Sequence, residues 1–345
     1  MGQGLKVVLY GLGPIGQGIA RLVHDMPALK IVGATDIDPD KARKDLGTVL
    51  GLSHKLKVKV EESPARLLRG ARPDVAVLCT SSSARDVKEQ LLALVKRGIN
   101  VVTTCEELAF PTPENKAVFR EIDAQARKKK VSVLATGVNP GYAMDTLALM
   151  LTAPCSHVNR VSVTRVVDAG TRRLSLQRKV GAGLSLAQFR RAMTEKQVRH
   201  VGLVESVHML AGGLGWTLDK VEETLEPAIA PRDLETEYLR IPAGNAAGIK
   251  QTARGYHNGL LAVSLDLQMY VAAEAPRDHV LIDGTPPIDM TIAGGIAGDT
   301  ATAAMVVNSI PKLMAARAGL LSMRDIPLVH CFNALDLKDL PQRKR

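Results

Sequence analysis

Aromatic side chains are scarce in this sequence: they make up 3% of its 345 residues and include a single tryptophan. Proteins that bind single-stranded nucleic acid stack the bases on exposed aromatic rings, so this composition disfavours that role. The formal net charge of +10 still allows an anionic partner. The two densest basic clusters, 127–130 and 343–345, contain no aromatic residue and are typical of a helix end and a solvated terminus. We therefore expect no nucleic-acid partner.

Metal-binding and membrane-spanning patterns are missing as well. The histidines are scattered, and no C-x-x-C pair occurs among the four cysteines, which are Cys79, Cys105, Cys155 and Cys331. No uncharged apolar run reaches the roughly 18 residues of a membrane span, and the N-terminus lacks the apolar core of a signal peptide. There is no G-x-S-x-G motif that would indicate a hydrolase. The sequence predicts a cytoplasmic protein with no metal and no membrane partner.

A glycine-rich turn follows the first predicted strand. Residues 5–10 form a short apolar run, and G-x-G-x-x-G comes directly after it and opens a helix. In this context the glycines allow a tight turn, a close approach to a pyrophosphate and close helix packing, while the helix N-terminus attracts the anion. The candidate cofactor-binding residues of this turn are Gly11, Gly13, Pro14, Ile15 and Gly16.

An acidic residue stands where a dinucleotide-binding unit needs one. The second predicted strand, 30–35, ends at Asp36, 20 residues beyond Gly16. A carboxylate at this offset accepts hydrogen bonds from the adenosine ribose and repels a 2′-phosphate. The basic residues that follow, at 41, 43 and 44, could accommodate that phosphate. We therefore expect NAD as the cofactor and leave use of NADP open.

Strands and helices continue to alternate up to residue 135. Strands are predicted at 73–79, 100–103 and 131–135, with helices at 83–98 and 113–129 between them. This order predicts a Rossmann fold, that is, a doubly wound parallel α/β sheet, which binds its ligand at the carboxyl ends of the strands. Further cofactor-binding candidates in the loops at those ends are Thr80, Ser81, Ser82, Thr104 and Asn139.

Two adjacent carboxylates follow the strand at 100–103. If the segment is extended, Glu106 and Glu107 point to opposite sides, and at most one of them enters a ligand cleft. A carboxylate there can hold an ammonium group, accept its proton and later activate water. An acidic first turn of a helix is the alternative interpretation. Both residues are therefore catalytic candidates.

The second half of the sequence predicts a different sheet. A strand is expected at 157–169 and helices at 185–198 and 202–210, before five strand-like runs at 221–229, 248–256, 260–270, 279–283 and 288–292. Strands in series without helices indicate a second α/β domain with a mixed or antiparallel open sheet. A small-residue helix capped by Asp299 or Thr300 then returns to the first domain.

These elements give two expected domains. The dinucleotide-binding domain comprises 1–140 with the helical return 299–345, and the substrate and dimerisation domain comprises 141–298. Polar and basic residues that follow strand ends are the substrate-binding candidates, namely Asn139, Pro140, Arg172 and Gln177.

Five motifs occur in a fixed order along most of the chain. They are Thr104–Leu108, Thr136–Gly141, Arg165–Ala169, Leu176–Gly183 and Gly298–Ala304. Together they resemble the 2,4-diaminopentanoate dehydrogenases and related amine dehydrogenases of the dihydrodipicolinate reductase-like group. The resemblance implies a homodimer formed through the open sheet. It also implies reversible NAD(P)-dependent oxidative deamination of 2,4-diaminopentanoate or a simpler amine to a ketone and ammonia.

The resemblance also implies a role for one carboxylate. In that family a glutamate after the fifth strand binds the amine, and we carry this role to Glu106 because the related homoserine dehydrogenases place a catalytic lysine at the matching offset. Glu107 is the reserve candidate. Two other functions stay open: a reductase of another imine or of an aldehyde, and a non-catalytic NAD(H)-sensing protein.

Overall fold

The computed structural model describes residues 4–70 and 72–333. Its chain divides into two compact units, one formed by the residues up to 142 together with those from 297 onward, and the other by 143–296. The basic cluster at 343–345 lies outside the described residues. Each unit is built around its own β-sheet.

The first unit begins with alternating strands and helices, as the apolar runs predict. Its strands are β1 (Leu5–Tyr10), β2 (Leu29–Thr35), β3 (Val60–Glu61), β4 (Val75–Leu78), β5 (Asn100–Thr103) and β6 (Ser132–Ala135). Its helices are α1 (Pro14–Asp25), α2 (Leu46–Val49), α3 (Pro64–Gly70), α4 (Ala84–Lys96) and α5 (Lys116–Lys129). A 3-10 turn at Glu106–Leu108 lies between β5 and α5.

The second unit follows directly. Its helices are α6 (Thr146–Leu151), α7 (Leu174–Lys179), α8 (Leu186–Thr194) and α9 (Leu203–Gly213). Its strands are β7 (His157–Asp168), β8 (Lys220–Ile229), β9 (Leu234–Glu235), β10 (Arg240–Ile241), β11 (Ala246–His257), β12 (Leu260–Tyr270), β13 (Arg277–Thr285) and β14 (Ile288–Ala293). The chain then returns to the first unit as α10 (Gly298–Ala315) and β15 (Gly319–Leu321).

The sheet of the first unit is wholly parallel. Its strand order is β15-β6-β5-β4-β1-β2-β3. The central strands β4 and β6 are buried along their whole length, as is typical of a sheet covered on both faces. Helix α10 packs on α1, where a Cβ added at Gly18 would lie 3.7 Å from Cβ of Ala303. The predicted Rossmann sheet is therefore confirmed.

The sheet of the second unit is mixed, with the order β14-β13-β7-β12-β11-β8. Strands β7 and β12 are parallel, and the other neighbouring pairs are antiparallel. On one face a row runs across the six strands through Leu225, Gln251, Leu267, Arg165, Asp278 and Ile292, and its four central residues are buried while the two outer ones are partly buried. On the other face, partly or fully exposed polar residues form the adjacent row, namely Thr224, Thr252, Asp266, Thr164, His279 and Thr291. We call this second face the open face.

One local prediction is wrong, and another is decided between its two alternatives. Helix α10 is not capped by Asp299 or Thr300: its N-cap is Ala297, which makes no side-chain cap hydrogen bond, and Asp299 lies in the first turn. The helix begins at Gly298, earlier than expected, so that Asp299 and Thr300 both lie inside it. For the segment with Glu106 and Glu107, the structure favours the acidic first turn of a helix over the extended alternative: it forms the 3-10 turn, in which the amide of Ala109 donates to the carbonyl of Glu106.

Candidate active site

The glycine turn between β1 and α1 leaves open space at one position. A Cβ at Gly11 would lie 2.6 Å from the carbonyl oxygen of Cys79, and a Cβ at Gly16 would overlap the carbonyl oxygen of Gly11. By contrast, a Cβ at Gly13 would have no heavy atom within 4 Å. Gly13 is also the N-cap of α1 and makes no side-chain cap hydrogen bond, and Pro14 follows it at the helix start. The turn therefore presents a bare helix N-terminus, beginning at Pro14 and Ile15, to an anion.

Asp36 supports this turn directly. Its Oδ2 accepts a 2.6 Å hydrogen bond from the backbone amide of Leu12, and its Oδ1 accepts one of 2.9 Å from the amide of Asp38. The carboxylate therefore joins the end of β2 to the glycine turn. This arrangement keeps an acceptor beside the place where a dinucleotide ribose is expected.

One of the three basic residues after β2 lies next to Asp36. The Nζ of Lys41 is 3.6 Å from Oδ2 of Asp36 and 2.8 Å from Oδ2 of Asp38. The hydrogen bond from Lys41 lowers the pKa of the Asp38 carboxyl below its ordinary value. Arg43 instead forms a 2.8 Å ion pair with Glu62 at the protein surface. Lys41 thus places an ammonium group beside the Asp36 carboxylate.

The loop after β4 contacts the first turns of α4. The hydroxyl of Thr80 donates to Oε1 of Gln90 at 2.8 Å, and that of Ser81 donates to Oδ2 of Asp86 at 3.0 Å. Ser83 is the N-cap of α4, and its hydroxyl accepts from the amide of Asp86. The backbone carbonyl of Ser82 accepts from the amide of Glu107, which links this loop to the turn after β5.

The two carboxylates in the 3-10 turn have different surroundings. The Oε2 of Glu107 accepts a 2.9 Å hydrogen bond from the amide of Ala84, the first residue of α4. A negative charge at this position also interacts favourably with the helix dipole. Glu106 is partly buried, and its charge helps to raise the pKa values of the Cys79 and Cys105 thiols. Glu107 is thus bound at a helix N-terminus, whereas Glu106 lies near the ends of β4 and β5.

Both cysteines near Glu106 are held as neutral thiols. Burial raises the pKa of Cys79 to about 12, with Glu106 adding to the shift and a hydrogen bond with Thr104 opposing it. Burial also raises the pKa of Cys105. Because the thiolate is the reactive form, neither cysteine is suited to act as a nucleophile at neutral pH.

Asn139, in the loop after β6, carries a buried amide without an internal partner. The residue is 8% exposed, and neither its Nδ2 nor its Oδ1 has a hydrogen-bond partner within 4–70 and 72–333. The peptide bond to Pro140 is cis. The loop is fixed to α10 by the hydroxyl of Thr302, which accepts from the amide of Val138 at 3.2 Å. Since buried amides are nearly always paired, the Asn139 side chain is suited to bind a ligand.

The other two substrate-binding candidates belong to the second unit. Gln177 is fully buried, and its Nε2 donates to the carbonyl of Arg172 at 2.8 Å and to that of Gly170 at 3.3 Å. Its Oε1 accepts from the hydroxyl of Thr236 at 2.9 Å. Gln177 therefore fixes the backbone around Arg172, which is itself partly buried.

Sequence reasoning missed Asn115. This residue is 6% exposed, and its Nδ2 donates to the carbonyls of Glu107 at 2.5 Å and Phe110 at 3.0 Å. The available signal was an asparagine immediately before α5, where such residues usually cap the helix. Here the side chain makes no cap hydrogen bond. Only the folded loop shows which carbonyls it binds.

The described residues contain neither a metal-binding cluster nor a membrane-spanning helix. No group of three or more His, Cys, Asp or Glu side chains in the described part of the chain could hold a metal ion. Within the same residues, no helix combines the length and the apolar character that crossing a membrane requires.

Two family models match the chain and together cover most of it. The model described as the 2,4-diaminopentanoate dehydrogenase C-terminal domain matches residues 142–342. The model described as the dihydrodipicolinate reductase N-terminus matches residues 5–136. The boundary between the two matches lies close to the loop that contains Asn139.

Full-length relatives are similar to the whole chain. A 2,4-diaminopentanoate dehydrogenase of Acetoanaerobium sticklandii is 30% identical, and the match covers 97% of each chain. An amine dehydrogenase of Streptomyces virginiae is 24% identical, with 94% of this chain and 96% of that one covered. The solved structure of an amine dehydrogenase from Mycobacterium smegmatis shares the fold at a TM-score of 0.86 and 24% identity, covering 96% of this chain and 98% of that one.

Proposed function

The chain belongs to the 2,4-diaminopentanoate dehydrogenase family, and from this premise we propose that it catalyses reversible NAD(P)-dependent oxidative deamination. The substrate is a primary amine, either 2,4-diaminopentanoate or a simpler amine, and the products are a ketone and ammonia. The observation that carries the proposal is the 3-10 turn at Glu106–Leu108, which brings a partly buried carboxylate to the ligand-binding edge of a Rossmann sheet.

The first unit fits a dinucleotide cofactor. The open space at Gly13 and the bare N-terminus of α1 suit a pyrophosphate. Asp36 would accept from the ribose, the 80–82 loop and Thr104 would line the remaining cofactor surface, and Asn139 offers an unpaired amide. Bound NAD(P) supplies the hydride acceptor for amine oxidation and the hydride donor for the reverse reaction.

We assign the acid-base role to Glu106. Its carboxylate holds the substrate ammonium and accepts one proton from it, so that the free amine can lose a hydride from the carbon that bears it. That first proton passes to solvent. Water then adds to the resulting iminium carbon while Glu106 takes a proton from it, and Glu106 returns this proton to the nitrogen. Ammonia leaves with the carbon–nitrogen bonding pair and takes up the hydroxyl proton as the ketone forms. In the balanced reaction, the protonated amine, oxidised cofactor and water give ketone, ammonium, reduced cofactor and a proton.

Arg172 is the proposed ligand of a substrate carboxylate. A diamino acid carries such a group and a simple amine does not, so this residue separates the two substrate classes. The buried Gln177 holds the backbone carbonyl of Arg172. We therefore assign Gln177 to positioning Arg172 rather than to direct contact with substrate, and we keep Asn139 and Pro140 as substrate-binding candidates.

We propose NAD as the preferred cofactor, with Lys41 as the residue that permits NADP. The Asp36 carboxylate disfavours a 2′-phosphate, and the neighbouring Lys41 ammonium offsets part of that repulsion. Lys41→Ala should raise KM for NADP about tenfold, the value of one lost charge-assisted contact, and leave KM for NAD unchanged. An equal change in KM for NAD and for NADP would contradict this role of Lys41.

We propose that two copies of this chain pair through the open face of the mixed sheet in the cytoplasm. Polar side chains on six strands are available for this contact, with Thr164 and Thr252 near its middle. Replacing both threonines with arginine should halve the mass measured by light scattering. An unchanged mass in that variant would exclude this face as the interface.

Ammonia dependence tests the proposed reaction. The enzyme should oxidise NADH in the presence of a ketone only when ammonia is added, with a rate that rises and saturates with ammonia. Comparing 2,4-diaminopentanoate with simple amines in the oxidative direction identifies the substrate class. Carbonyl reduction without ammonia would favour the aldehyde reductase alternative, and tight NADH binding without turnover would favour a sensor.

A further inference from the structure

The 3-10 turn that carries Glu106 is joined to the loop before α4 by three hydrogen bonds. The amide of Glu107 and the thiol of Cys105 both donate to the carbonyl of Ser82, at 3.3 Å and 3.2 Å. In return, the amide of Ala84 donates to Oε2 of Glu107 at 2.9 Å. These contacts fix the turn against the loop that contains the cofactor-binding candidates 80–82.

Asn115 fixes the other end of the turn. Its amide nitrogen bridges the carbonyls of Glu107 and Phe110, and its Oδ1 accepts from the amide of Thr112 at 2.7 Å. Asn115 occupies the N-cap position of α5 but does not use its side chain to cap that helix. The Asn115 side chain therefore forms its hydrogen bonds with the loop that follows Glu106 and not with its own helix.

Apolar burial adds a third constraint. Cys105 and Leu108 are both fully buried on either side of the two glutamates. The guanidinium of Arg324 lies 5.3 Å from the ring centroid of Phe110, which covers the far end of the segment. The backbone on either side of Glu106 is thus constrained both by hydrogen bonds and by buried side chains.

We propose that Glu107 and Asn115 are positioning residues that hold the Glu106 carboxylate in its catalytic place. The two adjacent glutamates then have separate tasks, one chemical and one geometric. Glu107 needs only a hydrogen-bond acceptor, whereas Glu106 needs an ionisable group. The proposal rests on the proposed role of Glu106, and a displacement of about 1 Å of such a group can cost up to about 100-fold in rate.

Four variants separate these tasks: Glu106→Gln, Glu107→Gln, Glu107→Ala and Asn115→Ala. Glutamine at 107 keeps an oxygen acceptor for the amide of Ala84, and alanine does not. The matched control is Ser185→Ala, which removes the cap of α8 in the second unit and affects folding alone. Each variant is compared for kcat, KM, thermal midpoint and the acidic limb of the pH profile of kcat/KM.

We expect Glu106→Gln to lose about 10²- to 10⁴-fold in kcat. Glu107→Ala and Asn115→Ala should each lose about 10- to 100-fold in kcat, with a shifted acidic limb and little change in cofactor affinity. Glu107→Gln should recover most of the lost rate. Ser185→Ala should lower only the thermal midpoint, which separates loss of stability from loss of positioning.

Two results would overturn the positioning role. If Glu107→Ala and Asn115→Ala keep the wild-type rate and pH profile, the turn holds Glu106 without them, although an inactive Glu106→Gln would still support the proposed reaction. If Glu107→Gln is as inactive as Glu106→Gln, the charge of Glu107 is required and the division of tasks is wrong. Normal turnover of Glu106→Gln would instead refute the acid-base role of Glu106, on which the positioning role rests.

Discussion

Arg165 and Asp278 form a buried ion pair between neighbouring strands of the mixed sheet. The Nη1 and Oδ1 atoms are 2.5 Å apart, and the two side chains are 3% and 0% exposed. The same residues hold Ile296 from both sides, since Nη2 donates to its carbonyl at 2.6 Å and its amide donates to Oδ2 at 2.7 Å. Ile296 is the last residue of the second unit. The ion pair therefore fixes the end of that unit.

Removal of one partner of this ion pair should lower the stability of the protein. Arg165→Met leaves the Asp278 carboxylate buried without its cation, and we expect the free energy of unfolding to fall by about 3–5 kcal/mol. Arg191→Met is the matched control, because the Arg191–Glu195 pair is exposed and is worth at most about 1 kcal/mol. Urea unfolding of both variants measures the difference. Equal losses of unfolding free energy in the two variants would show that the buried pair contributes no more to stability than the exposed pair.

Alanine substitutions in the glycine turn should separate binding from folding. Gly13→Ala places its methyl group in open space, so the thermal midpoint should stay near wild type while NAD binding weakens about tenfold or more. Gly16→Ala places its methyl group on the carbonyl of Gly11 and should destabilise the unit itself. Calorimetric titration with NAD measures the binding affinity of each variant, and thermal unfolding measures its stability. Unchanged NAD affinity in Gly13→Ala would show that the pyrophosphate lies elsewhere.

Asn139→Leu should lower activity without lowering stability. The buried amide has no partner among the described residues, and exchanging it for an apolar group of similar shape removes an unpaired polar group. We expect an unchanged or higher thermal midpoint and a fall in kcat/KM of about tenfold or more. A variant that loses stability and keeps kcat/KM would indicate a structural role for the amide.

His200 should make stability depend on pH. Burial, together with the charges of Lys179 and Arg165, lowers the pKa of His200 to about 3. An unfolded histidine titrates near pH 6.5, so at lower pH the unfolded state takes up a proton that the folded state does not. Stability from this residue is therefore full above pH 6.5 and is lost as the pH falls toward 3. Between pH 7.5 and pH 5 the loss amounts to about 2 kcal/mol.

His200→Gln should remove this part of the pH dependence. The side chain of Gln251 holds the backbone amide and carbonyl of residue 200, so these contacts survive the substitution. Urea unfolding at pH 7.5 and pH 5 gives the two free energies for each protein. The same pH dependence in wild type and variant would contradict the assignment.

The sequence predicts the regular elements well because their signals are local. Apolar periodicity identifies β1, β5 and β12 within a residue or two, and the spacing of the glycine motif identifies the start of α1. Short elements such as α6, α7 and β15 are not predicted, because only their packing on the rest of the unit stabilises them. The predicted cap of α10 is wrong for a related reason: the helix begins at a glycine, which gives no local sign of a helix start.

The candidate site is predictable in its parts and not in their connections. The spacing of the residues indicates that Glu106 and Glu107 follow a strand at the ligand-binding edge of the sheet. The two glutamates differ in their surroundings because the amide of Ala84 donates to Glu107, and Ala84 lies 23 positions away from Glu107 in sequence. The contact of Asp36 with the amide of Leu12 is likewise made by the fold. No local pattern contains such pairings.

Helix α10 and strand β15 complete a sheet that begins near the N-terminus. During synthesis, the ribosome produces the whole second unit between β6 and these last elements. Until residue 321 emerges, the growing chain carries a parallel sheet whose β6 edge lacks its neighbour and whose helix α1 lacks the partner packed at Gly18. We therefore expect the nucleotide-binding unit, whose first strands are made first, to remain incomplete until the rest of the chain has been made.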